Sequence, residues 1–185
     1  MNHLESYVDH DELEKIKCCD DVYLKSAVLV RKLFLKDELG KIHLKHLLNV
    51  SNRMNTLDGM IAGLLHDVVF NLPSITFDDL IDIGIPNTIV EALKVDYEAL
   101  KATHLEEDSR LKIFTSIDDY FLKTSQVIDS KNDLAIELLI ADIMDNYKAK
   151  DLEYLSIREL FLINEKYARN LIRLKASMEK RKKKC

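Results

Sequence analysis

Apolar residues recur at helical spacing along most of the chain, and polar punctuation divides them into separate helices. A short helix is expected from Asp11 to Cys19. Between Asp21 and Leu39, the positions Val22, Ala27, Val28, Val30, Leu33, Phe34 and Leu35 predict a second helix, with Gly40 as its stop. A third helix carries His46. Asn55 or Thr56 suits the cap of a fourth, which runs through His66 and places Gly59 and Gly63 on one face, where missing side chains permit close helix approach.

Leu72-Pro73-Ser74-Ile75-Thr76 breaks the pattern. Thr76-Phe77-Asp78-Asp79 restarts it with a capping side chain, predicting a short helix to Ile83. Pro86 lies just inside the next helix, expected through Leu100. The stretch Lys101 to Asp108 reads as a loop, followed by helices from Ser109 to Gln126 and from Lys131 to Lys148. A capping-box pattern, Ser156-Ile157-Arg158-Glu159, opens a last helix towards Met178. Its apolar residues Ile157, Leu160, Phe161, Ile163, Tyr167, Leu171, Ile172 and Leu174 suit a face buried on the core or on a second chain, so a homodimer stays open. The expected organisation is an N-terminal extension over 1–20, a core over 21–155 and a C-terminal helix over 156–185 with a basic tail.

Composition supports that pattern. With 185 residues, 47% hydrophobic content, 4 Gly and 2 Pro, the chain lacks the turn density of a sandwich or barrel, and an all-α single-domain bundle is expected. The net charge of −5 argues against broad nucleic-acid binding and points to a small diffusible substrate. Lys180-Arg181-Lys182-Lys183-Lys184 reads as a solvated helix end, with contact to an anionic partner as the alternative. The 3 cysteines form neither a disulfide framework nor a zinc pattern, which suits a reducing cytoplasm. No apolar run approaches the roughly 18 residues of a membrane span, and the N-terminus Met1-Asn2-His3-Leu4-Glu5 is unlike a signal peptide.

The candidate chemistry lies where ionisable residues interrupt apolar runs. His66-Asp67 sits within Gly59-Met60-Ile61-Ala62-Gly63-Leu64-Leu65-His66-Asp67-Val68-Val69; His46 and Asp142 interrupt two other apolar segments. Burying such groups without compensation is costly, and a cation or hydrogen bonds must satisfy them. Two imidazoles and two carboxylates from three segments make a mixed nitrogen and oxygen set, suited to one divalent transition metal with positions left for water. A hydrogen-bonded core histidine is the plainer alternative. His3 and His10 have no apolar context and read as exposed, His104 falls in a polar loop, and Asp145 reads as a solvated carboxylate beside the better-placed Asp142.

His46, the doublet His66-Asp67 and Asp142, in that order on three helices, resemble the HD superfamily of metal-dependent phosphohydrolases over roughly Ala27 to Leu152. More closely, Gly40 followed six residues later by His46, then Leu64-Leu65-His66-Asp67-Val68-Val69 and Ala141-Asp142-Ile143-Met144-Asp145-Asn146, is similar to the RelA/SpoT-type (p)ppGpp hydrolases and their small stand-alone relatives. The resemblance implies that His46, His66, Asp67 and Asp142 bind one divalent ion, manganese by preference, with iron, cobalt, zinc or nickel as alternatives. It gives Asp67 a catalytic role and Asn146 a contact to a bound nucleotide. His43 and the basic stripe of Arg31, Lys32 and Lys36 are further substrate-facing candidates, Arg31 and Lys36 as places where a phosphate is met.

Departures from that branch bear on activity. Phe70-Asn71 stands where the alarmone hydrolases carry a Glu-Asp pair that orients and activates water. Asp37 replaces an arginine that stacks on guanine, and His43 replaces a tyrosine. The expected function is therefore a metal-dependent phosphohydrolase acting on a small phosphate ester or nucleotide. A catalytically degenerate module binding metal or nucleotide in a regulatory role is the alternative, and (p)ppGpp 3'-pyrophosphohydrolysis a further one.

Overall fold

A computed structural model describes residues 3–102, 117–148 and 157–183. The fold is all-α, with no strand among the described residues. A single 3-10 turn, His3–Ser6, precedes α1 (His10–Lys17), α2 (Val22–Phe34), α3 (Glu38–Ser51), α4 (Leu57–Leu65), α5 (Val68–Asn71), α6 (Phe77–Asp82) and α7 (Asn87–Lys101). Then come α8 (Ile117–Asp129), α9 (Asp133–Lys148) and α10 (Ile157–Lys182). The chain divides into two compact units, residues 1–94 and 95–185. No described helix is long and apolar enough to cross a membrane.

In the first unit, α2, α3 and α4 pack on one another. Leu29, Val30 and Leu33 of α2, Leu47 and Val50 of α3, and Ile61, Leu64 and Leu65 of α4 are all buried, as their helical spacing requires. Residues 1–20, expected as an extension, contribute Leu4, Val8, Leu13 and Ile16 to buried positions. His3 is exposed as expected, yet its backbone N–H and Nδ1 both reach the Asp79 carboxylate, at 3.2 and 3.1 Å.

Side-chain caps define the helix starts. Asp21 accepts from the backbone N–H of Leu24, and Thr56 from that of Gly59. Thr76 and Asp79 complete a reciprocal capping box at α6. The boundary expected at Gly40 differs from the sequence pattern: α2 ends at Phe34, and Gly40 lies inside the first turn of α3. Asp37 caps α3 by accepting from Gly40, and a Cβ at residue 40 would stand 1.8 Å from the Phe34 carbonyl oxygen. Glycine is thus required here by a crossing backbone, not by helix termination.

Gly63 lets the backbones of α3 and α4 come close together. A Cβ there would lie 2.6 Å from Ser51 Cα and 2.7 Å from its nitrogen, backbone atoms that cannot rotate away. At Gly59 the nearest atom would instead be the flexible end of Met54, at 2.9 Å.

In the second unit, α10 packs on α8 and α9. Its inward face runs through Ile163, Lys166, Tyr167, Asn170 and Leu174. Ile157, Phe161 and Ile172, expected on the buried face, are exposed, because polar residues hold two of the inward positions. Lys166 is accommodated by the rings of Tyr120 and Tyr167, 4.7 and 5.3 Å from its ammonium, and Asn170 donates to the Lys166 carbonyl. Lys123 and Asp96 form a second buried polar contact, a 3.0 Å ion pair. The loop expected over Lys101–Asp108 is described only as far as residue 102, and the capping-box side chains of Ser156 and Glu159 lie outside what is described.

Gly63→Ala should destabilise the protein by about 1–3 kcal/mol in denaturant unfolding, since helices must separate to admit the methyl group. Gly59→Ala should cost less than Gly63→Ala, since the nearest atom is the flexible end of Met54 and helix propensity favours alanine, although Met54 Cβ and the Thr56 hydroxyl at 3.0 Å must also give way. Burial alone would raise the Asp79 carboxyl, but hydrogen bonds from the Thr76 backbone and hydroxyl and from His3 outweigh it and hold it below the ordinary carboxylate value. Because the folded value is depressed, this stabilisation is present above the unfolded carboxylate range of about 3.9 and is lost as pH falls through the folded value. Acid unfolding followed by circular dichroism should therefore be shallower in Asp79→Asn.

Candidate metal centre

The His66-Asp67 doublet occupies the joint between α4, which ends at Leu65, and α5, which begins at Val68. The single helix expected through His66 is thus interrupted. Asp67, with φ −99° and ψ 0°, leaves the helical path and precedes α5 without making a side-chain cap bond. Its carboxylate is thereby kept for other partners.

His66 Nδ1 lies 2.9 Å from the Gly63 carbonyl oxygen. A carbonyl only accepts, so Nδ1 carries the proton and a neutral ring has its lone pair on Nε2. The side chain is 2% exposed, which fixes the ring's direction. The His46 ring, from α3, stands edge-on to it at 5.2 Å between centroids.

His43, three residues earlier on the same helix, lies 6.1 Å from His46 and 4.7 Å from Phe34, ring to ring. Asp67 bridges this set: its Oδ1 is 3.6 Å from His66 Nε2 and its Oδ2 is 3.7 Å from His43 Nε2. The Asn71 side-chain nitrogen donates to the Asp67 carbonyl at 2.9 Å and lies 3.2 Å from His43 Nε2. An amide N–H donates, so His43 accepts at Nε2 and carries its own proton on Nδ1.

In the second unit, α9 carries Asp142, and Asn146 one turn later donates to Asp142 Oδ1 at 2.6 Å. Burial and the Asp142 negative charge push the Tyr167 phenol well above its ordinary range, so it stays protonated. Asp145, read from sequence as solvated, is instead 4% exposed, on a helix whose Ala141 and Ile143 are also buried.

His46, His66 and Asp142 each offer one ligand atom. This group can hold a metal ion. Two imidazole nitrogens and one carboxylate oxygen suit a divalent first-row transition metal and leave coordination positions for water or substrate. Asp67, expected as a further ligand, is a neighbour of the group through its 3.6 Å approach to His66.

The basic residues are placed elsewhere in the first unit. Lys36 donates to the Tyr7 carbonyl at 3.3 Å and lies over the Tyr7 ring, and Lys32 pairs with Glu12. Arg31 is exposed, with no side-chain hydrogen bond or ion pair among the described residues. Asp37 serves as the α3 cap. His104 lies outside the described residues. Sequence spacing suggested His43, but nothing in it signalled that Asn71 would tie His43 to the Asp67 backbone.

No protein-family model matches the chain, and no curated protein matches it either.

Long-range nitrogen-15 NMR of the metal-free protein at alkaline pH should report the Nδ1–H tautomer at both His66 and His43. A dominant Nε2–H form at His66 would contradict the bond to Gly63.

Proposed function

We propose that this protein is a metal-dependent phosphohydrolase acting on a small phosphate ester, with nucleotides as the favoured substrate class and manganese as the favoured ion. The observation that carries the reading is the pair of imidazoles of His46 and His66, with ring centroids 5.2 Å apart, from residues that together with Asp142 resemble the HD ligand set in order and context. A divalent ion held by these residues would supply Lewis-acid activation of water and charge neutralisation at a phosphoryl group.

The chain's own residues supply the rest. The Gly63 carbonyl holds the His66 ring so that Nε2 is available as a ligand atom. Asn146 orients the Asp142 carboxylate through Oδ1. Phe70 has no proton to exchange and the Asn71 amide is not a base, so the acid/base work falls to Asp67 and His43, whose reacting atoms lie 3.7 Å apart. His43 Nε2 accepts from Asn71 and is thereby held toward Asp67.

A second reading, a degenerate module that binds metal or nucleotide in regulation, is favoured by the same Asn71: its side chain is committed to the Asp67 backbone and His43, not left for a water. Assay of the manganese-loaded protein against nucleotide mono-, di- and triphosphates and (p)ppGpp separates the two. The expected result is turnover of a nucleotide phosphate, lost in His66→Ala and reduced about 10²–10⁴-fold in His43→Ala. Turnover of (p)ppGpp should be slower, by a similar factor, than in hydrolases with the carboxylate pair, and should rise in Phe70→Glu/Asn71→Asp. Metal binding without turnover of any of these phosphates would replace the enzyme with the regulatory module. Brisk (p)ppGpp hydrolysis would identify that alarmone as the substrate.

A further inference from the structure

Apart from the histidine cluster, the first unit contains a cavity of about 290 Å³ lined by residues of α1, α2 and the connection between them. Its apolar wall includes Ile16, Leu24 and Val28. Leu24 and Val28 are 52% and 37% exposed, so a substantial apolar surface is left facing solvent here.

The charged lining is one-sided. Glu12 is the only acidic residue in it, and Lys32 neutralises Glu12. Lys15 and Lys25 remain as excess positive charge. Lys25 is 6% exposed, and its ammonium donates to the Ile83 carbonyl at 2.7 Å. An ammonium has three donors, and among the described residues no carboxylate pairs with this one. A buried cation held by a neutral carbonyl alone lacks a countercharge, and an anion in the adjoining cavity would supply it.

We propose that the cavity between α1 and α2 binds a medium-chain carboxylate, its tail against Ile16, Leu24 and Val28 and its head group among Lys15 and Lys25. The volume, just below the roughly 300–1,000 Å³ of small-molecule sites, suits a single short chain and not a nucleotide. An inorganic anion would leave the apolar wall uncovered, and a neutral chain would leave the lysine charge unbalanced. This site is independent of the histidine cluster and of any phosphatase activity.

Calorimetric titration of the full chain with octanoate, octanamide and acetate tests the assignment. Octanoate should bind at least about tenfold more tightly than either control, since only it satisfies both wall and charge. Val28→Trp, at a partly exposed position, should abolish binding, and exposed Lys15→Glu should weaken it. Cys19 also lines the cavity and provides a readout in the unaltered protein. Octanoate should slow maleimide modification at Cys19, followed by peptide mapping, while leaving exposed Cys18 unaffected. Equal affinity for octanoate and octanamide, or an unchanged Cys19 rate at saturating octanoate, would overturn the proposal.

Discussion

The approach of α4 to α3 at Gly63 is the contact on which the first unit's chemistry depends. With a hydrogen in place of a side chain, the α4 backbone lies against Ser51, where a Cβ would stand 2.6 Å from Cα. That closeness places the end of α4, with His66, beside the middle of α3, with His46, at 5.2 Å between rings. The same glycine offers its carbonyl to His66 Nδ1. One residue therefore governs both the spacing of the two imidazoles and the nitrogen that His66 leaves available, before any ion is considered.

Several polar groups in the interior are each held by a specific partner, and the partner sets their chemistry. Asp79 is kept ionised by Thr76 and His3. Lys166 lies over Tyr120 and Tyr167, and Lys123 pairs with Asp96 at 3.0 Å. These contacts specify packing, whereas His43, Asp67 and Asn71 form a chain of polar neighbours of which His43 and Asp67 keep 21% and 15% of their side chains exposed.

Much of this was legible in the residues. Thr76 announced its cap, Thr56 was one of two candidates beside Asn55, Gly59 and Gly63 announced a close helix contact, and His46, His66 and Asp142 stood out because each interrupts an apolar run. What escaped reading depended on long-range geometry. Gly40 looks like a helix stop but is required by the Phe34 carbonyl, six residues back. The break at His66-Asp67 has no glycine or proline to mark it; it is visible only in the Asp67 backbone angles. Lys25, Asp145, Lys166 and Asn170 carry the wrong polarity for their buried places, and hydrophobic periodicity therefore assigns those places to neighbours such as Phe161.

The central claim is that His46, His66 and Asp142 act as one ligand set. Titration of the apo protein with manganese, followed by electron paramagnetic resonance of the free ion, tests it most directly. The account predicts a single saturable site per chain, lost in His46→Ala, His66→Ala and Asp142→Ala variants that remain helical by circular dichroism. Binding that persists unchanged in His66→Ala, or a wild-type protein that takes up neither manganese nor iron, cobalt, zinc or nickel, would contradict it.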